Sequence, residues 1–422
     1  MMTTINKYDY LIVGAGLSGS VIAERLATVL NAKVLVIDKR EHLGGNCYDY
    51  IDDKSGILIN KYGAHIFHTN YQHVWDYVSR FSEWIRYDHK VLSNVNGILV
   101  PVPVNINTVN ALCDANIKDA PIEMTSWLSK VQIHYDNITN SEEIAKSRVG
   151  NVLYEKMFRP YTIKQWAKEP AELAPSVLAR IPIRDNFDDR YFTDRYQALP
   201  RCGYTVFIKN ILAHPNITVL LETDFFNFIN SNPNEDKQLD YLVSRDGLYK
   251  WDKIIMTGPI DSFCTKILAK QKSSTSSSSI STCTEDEKQL EPLEYRSIHF
   301  SIERHLEEQY GFYQPVSVVN YPGLDSPYTR IVEYKHFTNQ PFPGSNILGT
   351  IIVKETTTDE GEPYYPVPNK KNQELYEKYQ KIASDIPNVH FIGRLANYKY
   401  FNMDEAIHNA LEYFEKHLCL HK

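Results

Sequence analysis

Residues 8–38 read YDYLIVGAGLSGSVIAERLATVLNAKVLVID, and three changes of pattern divide them. Tyr8 to Val13 is a short run of β-branched and aromatic residues, Leu17 to about Leu30 has helical spacing, and Lys33 to Ile37 returns to β-branched residues. This order predicts a β-α-β unit. Gly14, Gly16 and Gly19 form G-x-G-x-x-G at the first junction, and Asp38 closes the second strand. Such glycines permit a tight turn and close backbone approach. The amides around Ser18 at the helix start face a pyrophosphate, and the acid accepts from a ribose hydroxyl. Alone, a glycine turn of this kind can serve packing only. With strand, helix, second strand and acid in register, a bound dinucleotide is the expectation.

The chain has 422 residues, a formal charge of -7 and 23% charged residues, which predicts a folded protein of roughly two to three domains. It carries no dense Lys/Arg run, so neither nucleic acid nor an anionic membrane surface is an expected partner. The N-terminal MMTTINKYDYLIVGAG has too short an apolar run for a signal peptide, and no stretch approaches a membrane span. Six cysteines lie scattered without a Cys-x-x-Cys pair, which predicts reduced thiols, a cytoplasmic location and no metal site. Residues 90 to 110 are strand-like and broken by proline, and 107 to 150 are helical. Residues 180 to 260 and 293 to 335 predict sheet, with runs such as LEYRSIHFSI and PVSVVNY. The serine tract Gln271 to Cys283 cannot bury a core and is expected to be a disordered surface insertion.

Two further segments bear on which dinucleotide is bound. EHLGGN (Glu41 to Asn46) places a Gly-Gly pair just beyond the acid and resembles the second glycine motif of FAD-dependent proteins of the glutathione-reductase and amine-oxidase type. An ordinary loop would also use such a pair. VHFIGRLANYKYFNMDEAIHNALEYF reads as a strand ending at Gly393-Arg394, a loop, and a helix from near Asp404 with Ile407, Leu411, Phe414 and Leu418 on one face. A helix returning there would aim its positive end at a flavin pyrimidine.

KYGAHIFHT (Lys61 to Thr69), YTIKQWA (Tyr161 to Ala167), ARIPIR (Ala179 to Arg184), YFTDRYQALP (Tyr191 to Pro200), PYTRIVEYKHF (Pro327 to Phe337), EPYYPV (Glu362 to Val367) and GRLANYKYFNMD (Gly393 to Asp404) together resemble the bacterial-type UDP-galactopyranose mutase family, from about Tyr8 to Phe414. The resemblance implies an isomerase that interconverts UDP-galactopyranose and UDP-galactofuranose without net redox. In that family reduced FAD attacks the anomeric carbon through N5, UDP leaves, and the opened sugar recloses on another hydroxyl. It implies an α/β fold: a Rossmann-type FAD-binding domain from segments 1–85, 201–265 and 363–422, and a mainly antiparallel sheet domain from 86–105, 176–200 and 291–362. A helical subdomain with a mobile lid spans 106–175, and 266–290 is the insertion. A homodimer is likewise inherited from the family.

By the same resemblance Arg180 and Arg330 grip the diphosphate, and Tyr191, Tyr365 and Tyr400 donate to it. Tyr161 stacks on uracil, Thr162 hydrogen-bonds nearby, Trp166 covers the sugar nucleotide, and Asn320 and His89 supply polar contacts. His65 and Ile66 lie beside the flavin. Gly45, Asn46, Asp224, Phe225, Arg394, Phe401, Asn402, Met403 and Asp404 are further cofactor contacts. Asn402 stands where members usually carry Asp, His89 where several carry Asn, Met157 where an aromatic often flanks uracil, and Ala167 where Gly follows the lid tryptophan. These departures keep another UDP-sugar open. A flavin oxidase of the amine-oxidase type and a non-catalytic nucleotide-sugar binder are the competing readings. The external reductant is not written in the sequence.

Overall fold

Tyr10–Val13 pairs in parallel with Val34–Ile37, with Tyr10 opposite Val34. Around this pair a five-stranded parallel sheet runs in the order Ile217–Leu220, Val34–Ile37, Tyr10–Val13, Lys253–Met256, Val389–Phe391. The computed structural model describes residues 5–119, 121–230, 241–244, 247–274, 291–307, 311–341 and 349–419. Successive strand residues face opposite covers, as the two-residue period requires. Ile12, Val34, Val36 and Ile255 pack under helices Leu17–Leu30, Tyr204–Ile211 and Met403–Tyr413. Leu11, Leu35, Ile37, Ile254 and Met256 pack with Phe263, Tyr376 and Tyr379 on the other side. Each such buried side chain contributes on the order of 2 kcal/mol.

The expected first helix and the observed Leu17–Leu30 have the same ends, and the second strand starts one residue later than expected, at Val34. The C-terminal helix starts at Met403, with Ile407, Ala410 and Phe414 buried. Two expectations, one of sheet and one of disorder, need correction. Tyr204–Ile211 is a helix, because Tyr204, Phe207, Ile208 and Ile211 fall at helical spacing and bury one stripe. The opening of the serine tract, through Ser274, is the end of helix Ile260–Ser274, carried along by an N-terminal half that buries Ile260, Phe263, Cys264 and Ile267. The remainder, from 275, lies outside the described residues.

A seven-stranded sheet runs Tyr365–Pro366, Tyr295–His305, Thr350–Thr358, Arg330–Glu333, Val318–Asn320, Val91–Val95, Ile98–Pro101. It is antiparallel except where Val318–Asn320 meets Val91–Val95. Tyr196–Pro200 lies between Phe67–Thr69 and Trp84–Arg86 in a separate three-stranded sheet. Helices Ile106–Cys113, Ile122–Val131 and Ser141–Leu153 share a core of Val109, Met124, Val149 and Tyr154. Among the described residues no helix is long and apolar enough to cross a membrane.

Candidate active site

The glycine turn sits at the carboxyl end of the central strand. Gly14 has φ +114°, and its amide donates to the Ile37 carbonyl at 2.8 Å. A Cβ at Gly19 would lie 2.0 Å from the Gly14 carbonyl oxygen, so the helix approaches the turn as only glycine allows. Helix Leu17–Leu30 begins at Gly16 without a side-chain cap and with no acid in its first turn. Its first amides are open to an anion. Gly45 packs on Gly16, with 3.0 Å between its would-be Cβ and the Gly16 Cα, and the Gly44 amide donates to the Ala15 carbonyl at 2.9 Å. The EHLGGN segment and the first turn therefore form one surface, beside which Gly393 approaches Ser18.

Asp38 accepts from the Ala15 amide through Oδ2 and from the Arg40 amide through Oδ1, both at 2.9 Å. Arg40 in turn donates to Asn46 Oδ1 at 3.0 Å. Asp224 lies close by, since the Thr223 amide donates to the Asp38 carbonyl, and its Oδ1 accepts from the Phe226 amide at 2.8 Å. Phe225 is 2% exposed and packs on Phe263, so only its backbone can face a ligand.

The other half of the site is a row across the seven-stranded sheet. Asn320 is opposite Arg330, and Arg330 is opposite Glu355, so the three side chains share a face on adjacent strands. Arg330 Nε donates to Glu355 Oε2 at 2.6 Å, while Glu355 Oε1 is buried without a hydrogen-bond partner. Gly63, from the KYGAHIFHT segment, covers this pair: a Cβ there would lie 3.2 Å from Glu355 Oε1 and 3.6 Å from Arg330 Nη2. Glu355 is absent from the sequence-derived site. Its signal was available in TIIVKETTT, where Ile351 and Val353 face the core and a carboxylate follows on the same parity.

His65 Nδ1 lies 2.7 Å from the Gly63 carbonyl, which can only accept, so Nδ1 carries the proton and Nε2 is left as an acceptor. Burial, with Arg394 and Arg330 nearby, pulls its pKa down to about 4, so the ring is neutral. Ile66, the next residue, is buried in the core with Val91, Leu199 and Val332. His89 is 4% exposed, 3.4 Å from Ser317 Oγ, and burial followed by Arg330 and His68 lowers it to about 3.

This predicts a measurable pH dependence. His89 is depressed from 6.5, so the unfolded chain takes up its proton first as pH falls, and stability is lost from about pH 6.5 downward at up to about 1.4 kcal/mol per pH unit. Denaturant titrations of His89→Asn should show a flatter slope between pH 6.5 and 4 than wild type, and parallel slopes would contradict the assignment.

Tyr365 stacks on Tyr400 at 5.5 Å, the Arg394 guanidinium lies 4.8 Å and 4.3 Å from the two rings, and Arg180 lies 4.1 Å from Tyr400. Arg394 Nε and Nη2 are buried without a partner, as expected of donors awaiting an anionic or carbonyl-bearing group. Burial raises Tyr161 and Tyr191 and pushes Tyr365 up to about 12, so these hydroxyls remain donors. Against Arg180, Arg330 and Arg394 the described residues set one contacting carboxylate, Glu355. Phe401, Asn402, Met403 and Asp404 lie at the start of the C-terminal helix, where the Asn402 amide donates to Glu405 at 2.7 Å and Asp404 Oδ1 is buried and unpartnered.

YTIKQWA is helical: Arg159–Trp166 buries Thr162, and Trp166 packs with Leu173 and Val367, 6.1 Å from Tyr365. Ala167 ends this helix at φ +52°, in the left-handed region that favours glycine. Ala167→Gly should therefore raise the unfolding free energy by about 0.5–1 kcal/mol in urea titrations. A destabilised variant would show that the Ala167 methyl has a packing role.

The site joins a glycine-rich turn to a cationic, aromatic floor, and the chain as a whole is matched in known proteins. The family described as UDP-galactopyranose mutase matches residues 156–400, and that of the NAD(P)-binding Rossmann-like domain matches 12–81. A probable UDP-galactopyranose mutase of Klebsiella pneumoniae is 35% identical over 97% of this chain and 94% of its own. A dTDP-fucopyranose mutase of Escherichia coli is also 35% identical, over 95% and 96%. A crystal structure of reduced UDP-galactopyranose mutase superimposes with a TM-score of 0.71 at 17% identity, covering 98% of this chain and 96% of that one. The chain thus belongs to the UDP-galactopyranose mutase family, and it is an enzyme of the isomerase class.

Proposed function

We propose that this protein interconverts UDP-galactopyranose and UDP-galactofuranose, holding FAD in its Rossmann-type domain and working with the flavin reduced. The observation that carries the reading is the convergence of Arg330, fixed by Glu355, with Arg180, Arg394, Tyr365 and Tyr400. The open first turn at Gly16, the Gly16–Gly45 contact and the orphaned Arg394 donors fit a flavin dinucleotide. When bound, the reduced flavin would supply N5 as the nucleophile at the anomeric carbon.

The chain's own residues do the remainder. Arg330 and Arg180 neutralise the diphosphate as UDP departs, an interaction that strengthens as charge develops on the leaving oxygen. Tyr191, Tyr365 and Tyr400 offer hydroxyl donors to the same oxygens. Tyr161 stacks on the base with Thr162 beside it, and Trp166 shields the anomeric centre from water. Neutral His65 presents Nε2 as an acceptor next to the cofactor, and Asn320 and His89 meet the sugar.

A second reading is the same chemistry on a deoxysugar nucleotide. The identity to the dTDP-fucopyranose mutase, equal to that with the probable UDP-galactopyranose mutase, supports it. Titrating the oxidised flavoprotein with UDP and with dTDP, and following the flavin spectrum, separates the two. Tighter binding of UDP supports the first reading and tighter binding of dTDP the second. No response to either nucleotide, with peroxide released from an amine, would point to a flavin oxidase.

A further inference from the structure

Lys164 lies on the same helix as Tyr161, Thr162 and Trp166, and its contacts are to the sheet domain. Its ammonium donates to the Tyr321 carbonyl at 2.7 Å, the Tyr328 carbonyl at 3.0 Å and Ser326 Oγ at 3.2 Å. An ammonium has three hydrogens, and here each finds an oxygen. Residues 321–328 connect Val318–Asn320 to Arg330–Glu333, and the Tyr321 amide closes the neck of this loop on the Thr329 carbonyl at 2.8 Å. Lys164 therefore staples the neck of the loop that separates Asn320 from Arg330.

Among the described residues no carboxylate forms an ion pair with Lys164, although Asp325 acts on it through space. Burial pulls its pKa down to about 8. Holding a charge in such a place is costly, and neutral oxygens fixed by the loop backbone compensate. Two more bonds tie the same turn to the sheet: the Thr357 hydroxyl donates to the Lys164 carbonyl, and Arg296 Nε donates to the Gln165 carbonyl at 3.2 Å. Thr357 lies two residues along its strand from Glu355, the partner of Arg330. The helix end is thus bonded on both sides of Arg330.

We infer that Lys164 is a positioning residue that locks helix Arg159–Trp166 to the 321–328 loop and so sets the spacing between the Tyr161–Trp166 arm and Arg330. A nucleotide diphosphate must touch both arms at once, and a fixed spacing removes the ordering cost from its binding. The inference rests on the functional reading for the identity of that ligand.

The test compares wild type with Lys164→Met, measuring UDP affinity from the flavin spectrum and, with reduced enzyme, KM and kcat for UDP-galactofuranose. The expected result is a rise in Kd and KM of about tenfold with kcat within about threefold, the loss expected for hydrogen bonds from a charged donor. A folded variant with unchanged Kd and KM would overturn the inference, and so would loss of kcat alone. If Lys164→Met does not fold, Thr357→Val decides: a Kd raised about threefold supports the lock and an unchanged Kd overturns it. Because the affinity measurement needs no turnover, a wild type that binds UDP without converting the sugar overturns the functional reading alone.

Discussion

Arg330→Ala should lower turnover by on the order of a thousandfold, about 4 kcal/mol of barrier, and also lower the unfolding free energy by roughly 3 kcal/mol. The two losses have different causes. The first is the missing fork on the departing diphosphate. The second is the Glu355 carboxylate, whose side chain is 2% exposed and whose Arg330 Nε partner at 2.6 Å disappears. The double variant Arg330→Ala with Glu355→Gln should recover most of the stability and none of the turnover. Arg180 is a contrast: it is exposed, forms no ion pair among the described residues and rests on the Tyr400 ring. Arg180→Ala should lose turnover with its urea midpoint unchanged. Near wild-type rates in both arginine variants would remove the proposed diphosphate grip.

Gly19→Val should yield protein without bound flavin or no soluble protein at all. The first added carbon would meet the Gly14 carbonyl oxygen at 2.0 Å, and that oxygen belongs to the backbone of the turn itself. Relief requires moving the helix off the strand, which breaks the surface made with Gly45 and costs more than about 3 kcal/mol of packing. Flavin absorbance per mole of purified protein, with circular dichroism as the check on folding, measures the effect. A folded, fully yellow variant would show that the cofactor does not depend on this turn.

The β-α-β unit was legible because its signals are local: the change of period at Gly14, the glycines and Asp38 lie within one stretch of chain. Tyr204–Ile211 was misread since its aromatic and β-branched residues suit a strand, and only the spacing of Phe207, Ile208 and Ile211 reveals the buried stripe. The site divides in the same way. Arg330 and Asn320 were legible by resemblance to family motifs, but Glu355 is brought beside Arg330 only by strand register, which pairs residues 25 positions apart, as it pairs Asn320 with Arg330 at 10. Nothing within TIIVKETTT states which strand it will join, so Glu355 could be marked as an oddly placed acid and not as the partner of Arg330. Likewise the carbonyls that hold Lys164 belong to a loop more than 150 positions distant, at sequence separations of 157 and 164.

In the proposed function this enzyme isomerises the sugar ring of a nucleotide sugar with its flavin reduced. The direct measurement is anaerobic incubation of dithionite-reduced protein with UDP-galactofuranose, resolving the nucleotide sugars by chromatography and running oxidised protein in parallel. Conversion to UDP-galactopyranose by reduced protein alone is the predicted result. Equal conversion by oxidised protein would contradict the role given to the flavin, and no conversion of either UDP-galactofuranose or dTDP-fucofuranose by reduced, UDP-binding protein would contradict the assignment of the reaction.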